Sequence, residues 1–422
     1  MMPETLLSPP ATPAKPVTPV TPVRAPATPA NEPVVAPALP LSSLLALTMA
    51  SFVVILTEVL PAGLLPQLAA SLHSSQSVMG QLIGIYALGS VLAAIPLAAA
   101  TQGMGRRTLL LLALGGFVAA NTVTALSTSL PLIFGARFVG GVAAGLAWSM
   151  LVGYAARMVA PQQKGRAIAI AMAGTPLALT VGVPAATWVG NQLGWRIAFG
   201  ILSALAALLM VWIATRLPAM RAIPGQQRQS VASVARLPGV APVLAVLLLY
   251  VVGHNILYTY IAPVAALAQL GARVDFLLAL FGGCALAGLL LVGALVDRWL
   301  GRLVFASILG FLGASAMLSL WPGTAPVLYL AVALWGLAFG GVATLFVTAL
   351  SNAAGEAQDV AQSMMTTVWN SAIFAGSVAG GMLLVQFGAT AFAHAASAAL
   401  VLALGVVWRT RRQFWWRGAG AR

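Results

Sequence analysis

Residues 41–66 read LSSLLALTMASFVVILTEVLPAGLLP, an apolar run that contains a single charged residue, Glu58. A helix of this length extends about 39 Å at 1.5 Å per residue, which exceeds the roughly 30 Å hydrocarbon core of a bilayer. Further apolar runs of similar length follow, and together they predict an all-α integral membrane protein with twelve transmembrane helices. The predicted spans are 41–66, 78–100, 107–126, 130–154, 165–189, 195–216, 241–268, 275–296, 302–321, 325–349, 360–387 and 390–410.

The overall composition agrees with a membrane location. Of the 422 residues, 60% are hydrophobic and 7% are charged, whereas a soluble domain carries about 25% charged residues. The net charge of +14 does not indicate nucleic-acid binding, because the basic residues are scattered between apolar runs. Three histidines, seven carboxylates and one cysteine, Cys284, predict no metal site, no cofactor and no disulfide within the chain.

The two ends of the chain differ in composition from the apolar runs. Residues 1–40 are rich in Pro, Thr, Ala and Val, which predicts a disordered or polyproline-like cytoplasmic tail. A partner-binding Pro motif is the alternative interpretation of this segment. Residues 411–422 are predicted to form a basic cytoplasmic tail.

The positions of the basic residues predict the orientation of the spans, because cytoplasmic loops of membrane proteins carry an excess of Lys and Arg. If the amino terminus lies inside, eighteen of the 21 basic residues fall in cytoplasmic segments. Only Arg196 and Arg273 fall outside, and Arg137 lies within the fourth span. Both termini are therefore predicted to be cytoplasmic.

The chain also resembles itself across its two halves. A basic segment, 217–240, divides a six-span half at 41–216 from a second at 241–410. A shift of 196 residues superposes several glycine positions, which favours two parallel pseudo-repeats around a central cavity, as in twelve-helix secondary transporters. Chance alignment in a Gly-rich chain is the alternative. The matching pairs are Gly105-Arg106 with Gly301-Arg302, Gly140 with Gly336, and Gly145 with Gly341.

Residues 293–302 read GALVDRWLGR, which resembles the G-x-L-x-D-R-x-x-G-R loop of the major facilitator superfamily. The resemblance implies a latch between neighbouring helices that forms in one of two access states. The matching loop of the first half has Thr101 where the register would place the aspartate. The charged residues that the resemblance assigns to the latch are Asp297, Arg298, Arg302, Arg106 and Arg107.

Further motifs resemble the sugar, nucleoside and drug efflux branch of that superfamily, which includes drug:proton antiporters. This resemblance implies export of a small molecule in exchange for protons. The matching stretches are TEVLPAGLLP at 57–66, RFVGG at 137–141, GTP at 174–176, GVP at 182–184, GWR at 194–196, GH at 253–254 and YTYIAP at 258–263.

The fifth span carries the motif associated with antiport. Gly174, Pro176, Gly182 and Pro184 place two prolines eight residues apart, so both weaken the helix ladder on nearly one face. The pattern predicts a bend or a tightly packed seam that seals one side of the protein. Simple packing of small residues is the alternative.

Aromatic and amide side chains within the spans are candidates for contact with cargo. An apolar cavity with few charges suits a neutral or weakly cationic molecule, and the pattern favours none of sugar, nucleoside or drug. Packing within the bundle or placement at the membrane interface is the alternative for each residue. The candidates are Tyr86, Trp148, Tyr250, Asn255, Tyr258, Trp369 and Asn370.

Three polar residues within the spans are predicted to couple transport to protons. Glu58 is the only acidic residue between Glu32 and Asp275, and intramembrane acids are costly and usually functional. Arg137 is expected at the same depth, roughly 11 Å from the outer face, where it pairs with the carboxylate as a switch. His254 occupies the equivalent position of the other half. The alternatives are that Arg137 snorkels to the interface and that His254 bonds a backbone carbonyl.

The sequence thus predicts a secondary active transporter of the inner (plasma) membrane that exports a small organic molecule in exchange for protons by alternating access. It is expected to work as a monomer within the lipid bilayer. A proton-coupled importer, a channel and a sensor that does not transport are the alternatives. An enzyme is not expected, since the chain shows neither paired carboxylates nor a nucleophile with its base.

Overall fold

The computed structural model describes residues 39–101, 103–220 and 230–411, except for the side chains of residues 94–96 and 98–100. The predicted tails, apart from residues 39, 40 and 411, lie outside this part of the chain, as does the middle of the predicted linker. Within the described ranges every regular element is helical, which confirms the predicted all-α class. The α-helices are α1 Leu41–Gly63, α2 Leu65–Ser71, α3 Gln76–Ala100, α4 Arg106–Leu126, α5 Leu130–Arg157, α6 Lys164–Met172, α7 Gly174–Leu177, α8 Val183–Leu193, α9 Trp195–Arg216, α10 Val231–Ala235, α11 Val240–Thr259, α12 Ile261–Leu267, α13 Val274–Leu320, α14 Ala325–Gly340, α15 Val342–Ala354, α16 Gln358–Phe387 and α17 Ala391–Thr410.

Ten segments of the described chain are long and apolar enough to cross a membrane. Two of them, Gly271–Leu320 and Ala325–Phe387, contain 50 and 63 residues, which is more than one crossing requires. The first of these contains α13, whose backbone leaves helical geometry at Trp299, with φ −130° and ψ 28°. This kink lies between the predicted eighth and ninth spans.

Prolines account for the breaks within two predicted spans. The first span is interrupted at Leu64 (φ −118°, ψ 8°) between α1 and α2, and the seventh at Tyr260 (φ −110°, ψ 31°) between α11 and α12. Pro66 and Pro263 follow these breaks by two and three residues. A proline lacks the N–H for the carbonyl four residues earlier, and its ring clashes with that carbonyl. The chain therefore restarts a short helix after each break.

Glycines with a left-handed backbone allow sharp reversals between adjacent long helices. Gly194 has φ +98° between α8 and α9, and Gly388 has φ +75° where α16 ends. A residue with a Cβ is strained in this region of backbone space. Consecutive helices can thus run back through the bundle after connections of a few residues.

The helices α1–α9 pack among themselves, as do α11–α17, and the two sets meet mainly through α3 with α16 and through α13 with α8 and the segment before it. These meeting points lie at one end of the bundle, where α3 begins and α16 ends; Ser77, for example, bonds Gly381. We call this the closed end. At the opposite end, α6 packs on α1 and α5 of its own set.

Candidate functional site

A buried arginine joins three helices of the first set. Arg137 on α5 is 1% exposed and donates from Nη1 to the Thr57 carbonyl at 2.6 Å, from Nη2 to the Glu58 carbonyl at 2.9 Å, and from Nε to the Leu82 carbonyl at 3.1 Å. Pro61 lies four residues after Thr57 within α1, so it cannot supply the N–H that this carbonyl would otherwise accept. The guanidinium takes the place of that missing donor.

The structure brings Glu58 and Arg137 together at one depth, but through the backbone of Glu58. The bond to the guanidinium goes to the main-chain oxygen, and the ring of Tyr86 lies under the guanidinium with its centroid 4.7 Å from the Cζ atom. The Glu58 side chain is itself buried, at 6% exposure. Three of the five N–H groups of Arg137 are thus used by carbonyls, and the guanidinium lies next to the residue whose carboxyl is predicted to carry the proton.

Polar neighbours of this arginine extend the site to a fourth helix. Asn121 on α4 donates from Nδ2 to the Thr57 hydroxyl at 3.2 Å, and the Tyr86 hydroxyl donates to the Val54 carbonyl at 3.2 Å. The Arg137 guanidinium is thus surrounded by groups from α1, α3 and α4. We call Thr57, Glu58, Tyr86, Asn121 and Arg137 the polar site.

His254 lies elsewhere, in the second set of helices. Its ring stacks on Phe339 with centroids 3.7 Å apart, and it has further ring neighbours in Tyr258, Trp335 and Phe281. These neighbours belong to α11, α13 and α14, so the structure does not group His254 with the polar site. His254 Nδ1 is buried without a hydrogen-bond partner within the described residues. We call these five residues the ring cluster.

Several predicted cargo residues already have protein partners. The Tyr250 hydroxyl accepts a bond from Ser307 at 3.0 Å. Asn255 and Asn370 each donate to a carbonyl one turn earlier on their own helix. These contacts are typical of packing within a helical bundle.

Three other predicted cargo residues are two half-buried tryptophans and one buried tyrosine. Trp148 and Trp369 are half-buried, and Trp369 lies at the edge of the ring cluster, 6.3 Å from Phe339 between centroids. The Tyr258 hydroxyl is buried without a partner among the described residues. Of the residues chosen from sequence, Tyr258 thus contacts His254 directly, and Tyr250 and Trp369 contact Phe339 of the same cluster.

The fifth span is broken into short pieces around its two prolines. A π-helical segment, Ala178–Gly182, connects α7 to α8, and π-bulges occur frequently at functional sites. In a π-helix each carbonyl accepts from the N–H five residues later, so Pro184 removes the donor for the Leu179 carbonyl. The Thr180 hydroxyl donates to the Gly282 carbonyl on α13 at 3.0 Å, so this irregular segment contacts the second set directly.

Gly282 permits this approach because it has no side chain. A Cβ there would lie 2.3 Å from the Leu179 carbonyl oxygen and 2.6 Å from the Thr180 Cα, distances that require the backbones to separate. The adjacent Gly283 has open space where its Cβ would lie. The two glycines thus form a matched pair for mutagenesis.

We expect Gly282→Ala to weaken the closed end and to lower transport at least tenfold, whereas Gly283→Ala should transport like the wild type. The added methyl group of the first variant meets backbone, which cannot move aside as a flexible side chain can. Initial rates of cargo flux in proteoliposomes, normalised to folded protein, measure the difference. Equal rates for the two variants would show that the seam between the fifth span and α13 is not needed for transport.

A second contact at the closed end was not predicted from the sequence. Gln81 on α3 donates to the Tyr260 hydroxyl at 3.1 Å and to the Ser377 carbonyl at 3.0 Å, and Tyr260 donates to that same carbonyl at 2.9 Å. Ser77 bonds the Gly381 carbonyl at 2.8 Å. The sequence drew attention to Tyr260 only as part of the motif YTYIAP at 258–263. Its partners Gln81 and Ser377 lie more than 100 residues away in the chain, so the motif could not indicate them.

The charged residues of the predicted latch are separated from these contacts. Asp297, Arg298 and Arg302 are exposed at the kink of α13. In the matching loop, the backbone N–H of Arg106 bonds the Met220 carbonyl and Arg107 bonds the Ala214 carbonyl.

Two sets of apolar helices that meet at one end, with a buried carboxyl in one and a buried ring cluster in the other, define a membrane transporter. The model of the Major Facilitator Superfamily matches residues 47–377, and the chain belongs to this family. The resemblance seen in the sequence is thus confirmed at the level of the family.

Similar proteins agree with this assignment. Two chloramphenicol efflux pumps from two strains of Mycobacterium tuberculosis are each 29% identical over 343 residues, which cover 78% of this chain and 83% of theirs. The nucleoside transporter NupG has the same fold, with a TM-score of 0.70 at 14% identity over 89% of this chain and all of its own. The xylose transporter XylE from E. coli gives a TM-score of 0.67 at 16% identity, over 88% of this chain and 97% of its own.

Proposed function

We propose that this protein is a secondary active transporter that exports a small, neutral organic molecule in exchange for protons. The similarity to efflux pumps supports the direction of transport. The low charge of the helices supports a neutral cargo, because an isolated charge within the membrane is costly.

The observation that carries the proposal is the environment of Glu58. It is the only acidic residue between Glu32 and Asp275, and it is 6% exposed. Arg137, next to it, donates three of its N–H groups to the carbonyls of Thr57, Glu58 and Leu82. A carboxyl in this position can bind a proton in one access state and release it in the other, which is the chemistry that antiport requires.

We further propose twelve crossings in two pseudo-repeats, 41–216 and 241–410. The kink at Trp299 divides α13 into two crossings, α14 and α15 together make one, and α16 makes another. With a cytoplasmic amino terminus, both tails and the linker 217–240 lie on the cytoplasmic side of the inner membrane. The distribution of the basic residues favours this orientation. A monomer suffices, since one chain contains both the polar site and the ring cluster.

In this topology the closed end faces outward. Helix α3 then begins at the outer face, and α16 ends there. The bonds among Ser77, Gln81, Tyr260 and Ser377 would close the outer side, and the released latch at Asp297 would correspond to an open inner side. Alternating access then requires these outer bonds to break while the latch forms.

Cysteine labelling tests the topology. With Cys284 replaced by Ser, single cysteines at Gln226 and Arg417 should resist an impermeant maleimide added to intact cells, whereas one at Arg273 should react. Permeabilised cells supply the control, because all three positions should then react. Labelling of Gln226 or Arg417 in intact cells would contradict the proposed twelve crossings.

A substrate screen in inverted membrane vesicles tests the function. Chloramphenicol, nucleosides and sugars are added to vesicles with an acid interior, and we expect at least one of them to release protons from the lumen. An importer would instead release protons when cargo is preloaded inside and not when it is added outside. If folded protein releases no protons from the lumen with any of these compounds, the proposed exchange is contradicted.

A further inference from the structure

The ring cluster is built from three helices of the second set. His254 and Tyr258 come from α11, Phe281 from α13, and Trp335 and Phe339 from α14. Trp335 lies 5.3 Å from His254, 6.1 Å from Tyr258 and 4.7 Å from Phe281 between ring centroids. The rings therefore form one continuous group. Phe339 is half-buried at its edge and contacts Trp369, a half-buried residue of α16 outside the cluster.

Three polar atoms of this cluster are buried without a partner among the described residues: His254 Nδ1, the Tyr258 hydroxyl and Trp335 Nε1. Buried polar groups in folded proteins are nearly always hydrogen-bonded. The Tyr250 and Tyr260 hydroxyls follow this rule. Six other buried side-chain atoms of the described residues also lack a partner, Thr259 Oγ1 among them, but three of the nine fall within this one cluster. Three unpartnered atoms within one cluster thus indicate that their partner comes from outside the chain.

The chemistry of the three atoms restricts that partner. The indole N–H of Trp335 is a donor only, and the Tyr258 hydroxyl can donate as well, so the partner must present an acceptor. Helices α11 and α14 contain no Asp, Glu, Lys or Arg, and the charges of α13 are Asp275 in its first turn and the group at 297–302. An anionic acceptor would have no counter-charge in these helices, which leaves a neutral one.

We infer that the ring cluster is the cargo-recognition subsite, and that its ligand is a neutral aromatic compound carrying a hydrogen-bond acceptor such as a nitro or carbonyl group. The acceptor reaches Tyr258 and Trp335, while the aromatic ring of the ligand stacks at the edge formed by Phe339 and Trp369. This inference rests on the proposed export function, for which it names the substrate class. A lipophilic cation, which aromatic rings can also bind, would leave both donors unsatisfied.

Binding to the purified full-length protein in detergent tests the subsite without transport. Calorimetry with chloramphenicol, a neutral nitroaromatic amide, is compared with tetraphenylphosphonium, a cation without an acceptor. We expect Tyr258→Phe and Trp335→Phe each to weaken chloramphenicol binding about tenfold, the effect of one lost hydrogen bond. Neither variant should lose affinity for the cation.

Thermal unfolding without ligand separates this role from a structural one. Because the Tyr258 hydroxyl has no hydrogen-bond partner in the described part of the chain, Tyr258→Phe should leave the Tm unchanged or raise it. Tyr154→Phe is the matched control, since the Tyr154 hydroxyl donates to the Pro218 carbonyl at 2.5 Å; this variant should lower the Tm and keep chloramphenicol affinity.

Three results would overturn the inference. The first is unchanged chloramphenicol affinity in Tyr258→Phe. The second is a wild-type protein that does not bind chloramphenicol. The third is a variant, Tyr258→Phe or Trp335→Phe, that loses affinity for tetraphenylphosphonium but not for chloramphenicol. Binding with the expected losses but without proton exchange would instead reject the proposed antiport and leave the subsite in place. The two failures are therefore distinguishable.

Discussion

Glu58→Gln should abolish uphill, pH-driven transport while the protein stays folded and still binds cargo. The amide has nearly the shape of the carboxyl but cannot carry a proton, and the Glu58 main-chain bond to Arg137 is unaffected by the change. One proton crossing 100 mV supplies about 2.3 kcal/mol, which supports roughly a fiftyfold gradient of a neutral cargo. The accumulation ratio should therefore fall from as much as about fiftyfold to about one.

Asp359→Asn is the control for this variant. Asp359 also lies on a membrane helix but is exposed in the first turn of α16, so its neutralisation should leave accumulation unchanged. Accumulation is measured in proteoliposomes with an imposed pH gradient. If Glu58→Gln accumulates cargo as the wild type does, Glu58 is not the proton carrier, and His254 becomes the next residue to test.

Arg137→Leu should destabilise the protein strongly, because it removes a cation that satisfies backbone carbonyls of two other helices. The carbonyls of Glu58 and Leu82 can still accept helical N–H bonds, but that of Thr57 cannot, since Pro61 follows it. One buried carbonyl left without a donor costs about 1–3 kcal/mol. Arg137→Lys should not restore stability, because a single ammonium cannot reproduce the fork of the guanidinium.

A double-mutant cycle isolates this role of Arg137. Pro61→Ala returns an N–H to α1 that can bond the Thr57 carbonyl, so it should recover part of the stability lost in Arg137→Leu. Thermal unfolding in detergent of the wild type, both single variants and the double variant measures the coupling between the two residues. Strictly additive effects would show that the missing proline donor does not explain the position of Arg137.

The class of fold was readable from the sequence because it depends on local properties. The chain consists of apolar runs long enough to cross a bilayer, with few charges between them. Within a bilayer, helices are the structures in which such runs satisfy their own backbone hydrogen bonds. Motifs such as GALVDRWLGR at 293–302 then indicated the family. The break between the eighth and ninth spans was predicted near the position of the kink at Trp299.

The candidate site was readable only in part, because contacts depend on how each helix is rotated. Residue counting placed Glu58 and Arg137 at one depth, but it could not show that the guanidinium binds carbonyls. Pro61 was the available signal, since a proline leaves the carbonyl of residue i−4 without its donor.

The repeat register was a weaker guide to the second half. It placed His254 opposite Glu58, whereas the structure places His254 against Phe339 and Trp335. The latter two residues were not among the candidates, because nothing in the sequence distinguishes their rings from those of other aromatic residues within the spans. Only the tertiary structure shows that the Trp335 N–H has no partner among the residues that the structure describes.

The most direct test of proton-coupled export is proton movement driven by a cargo gradient alone. Purified protein is placed in proteoliposomes with a pH-sensitive dye inside and no initial pH gradient, and an identified cargo is then added outside. We predict that cargo entry drives protons out and raises the internal pH in wild-type vesicles, with no change for Glu58→Gln. Entry of radiolabelled cargo without any change of internal pH would contradict the account.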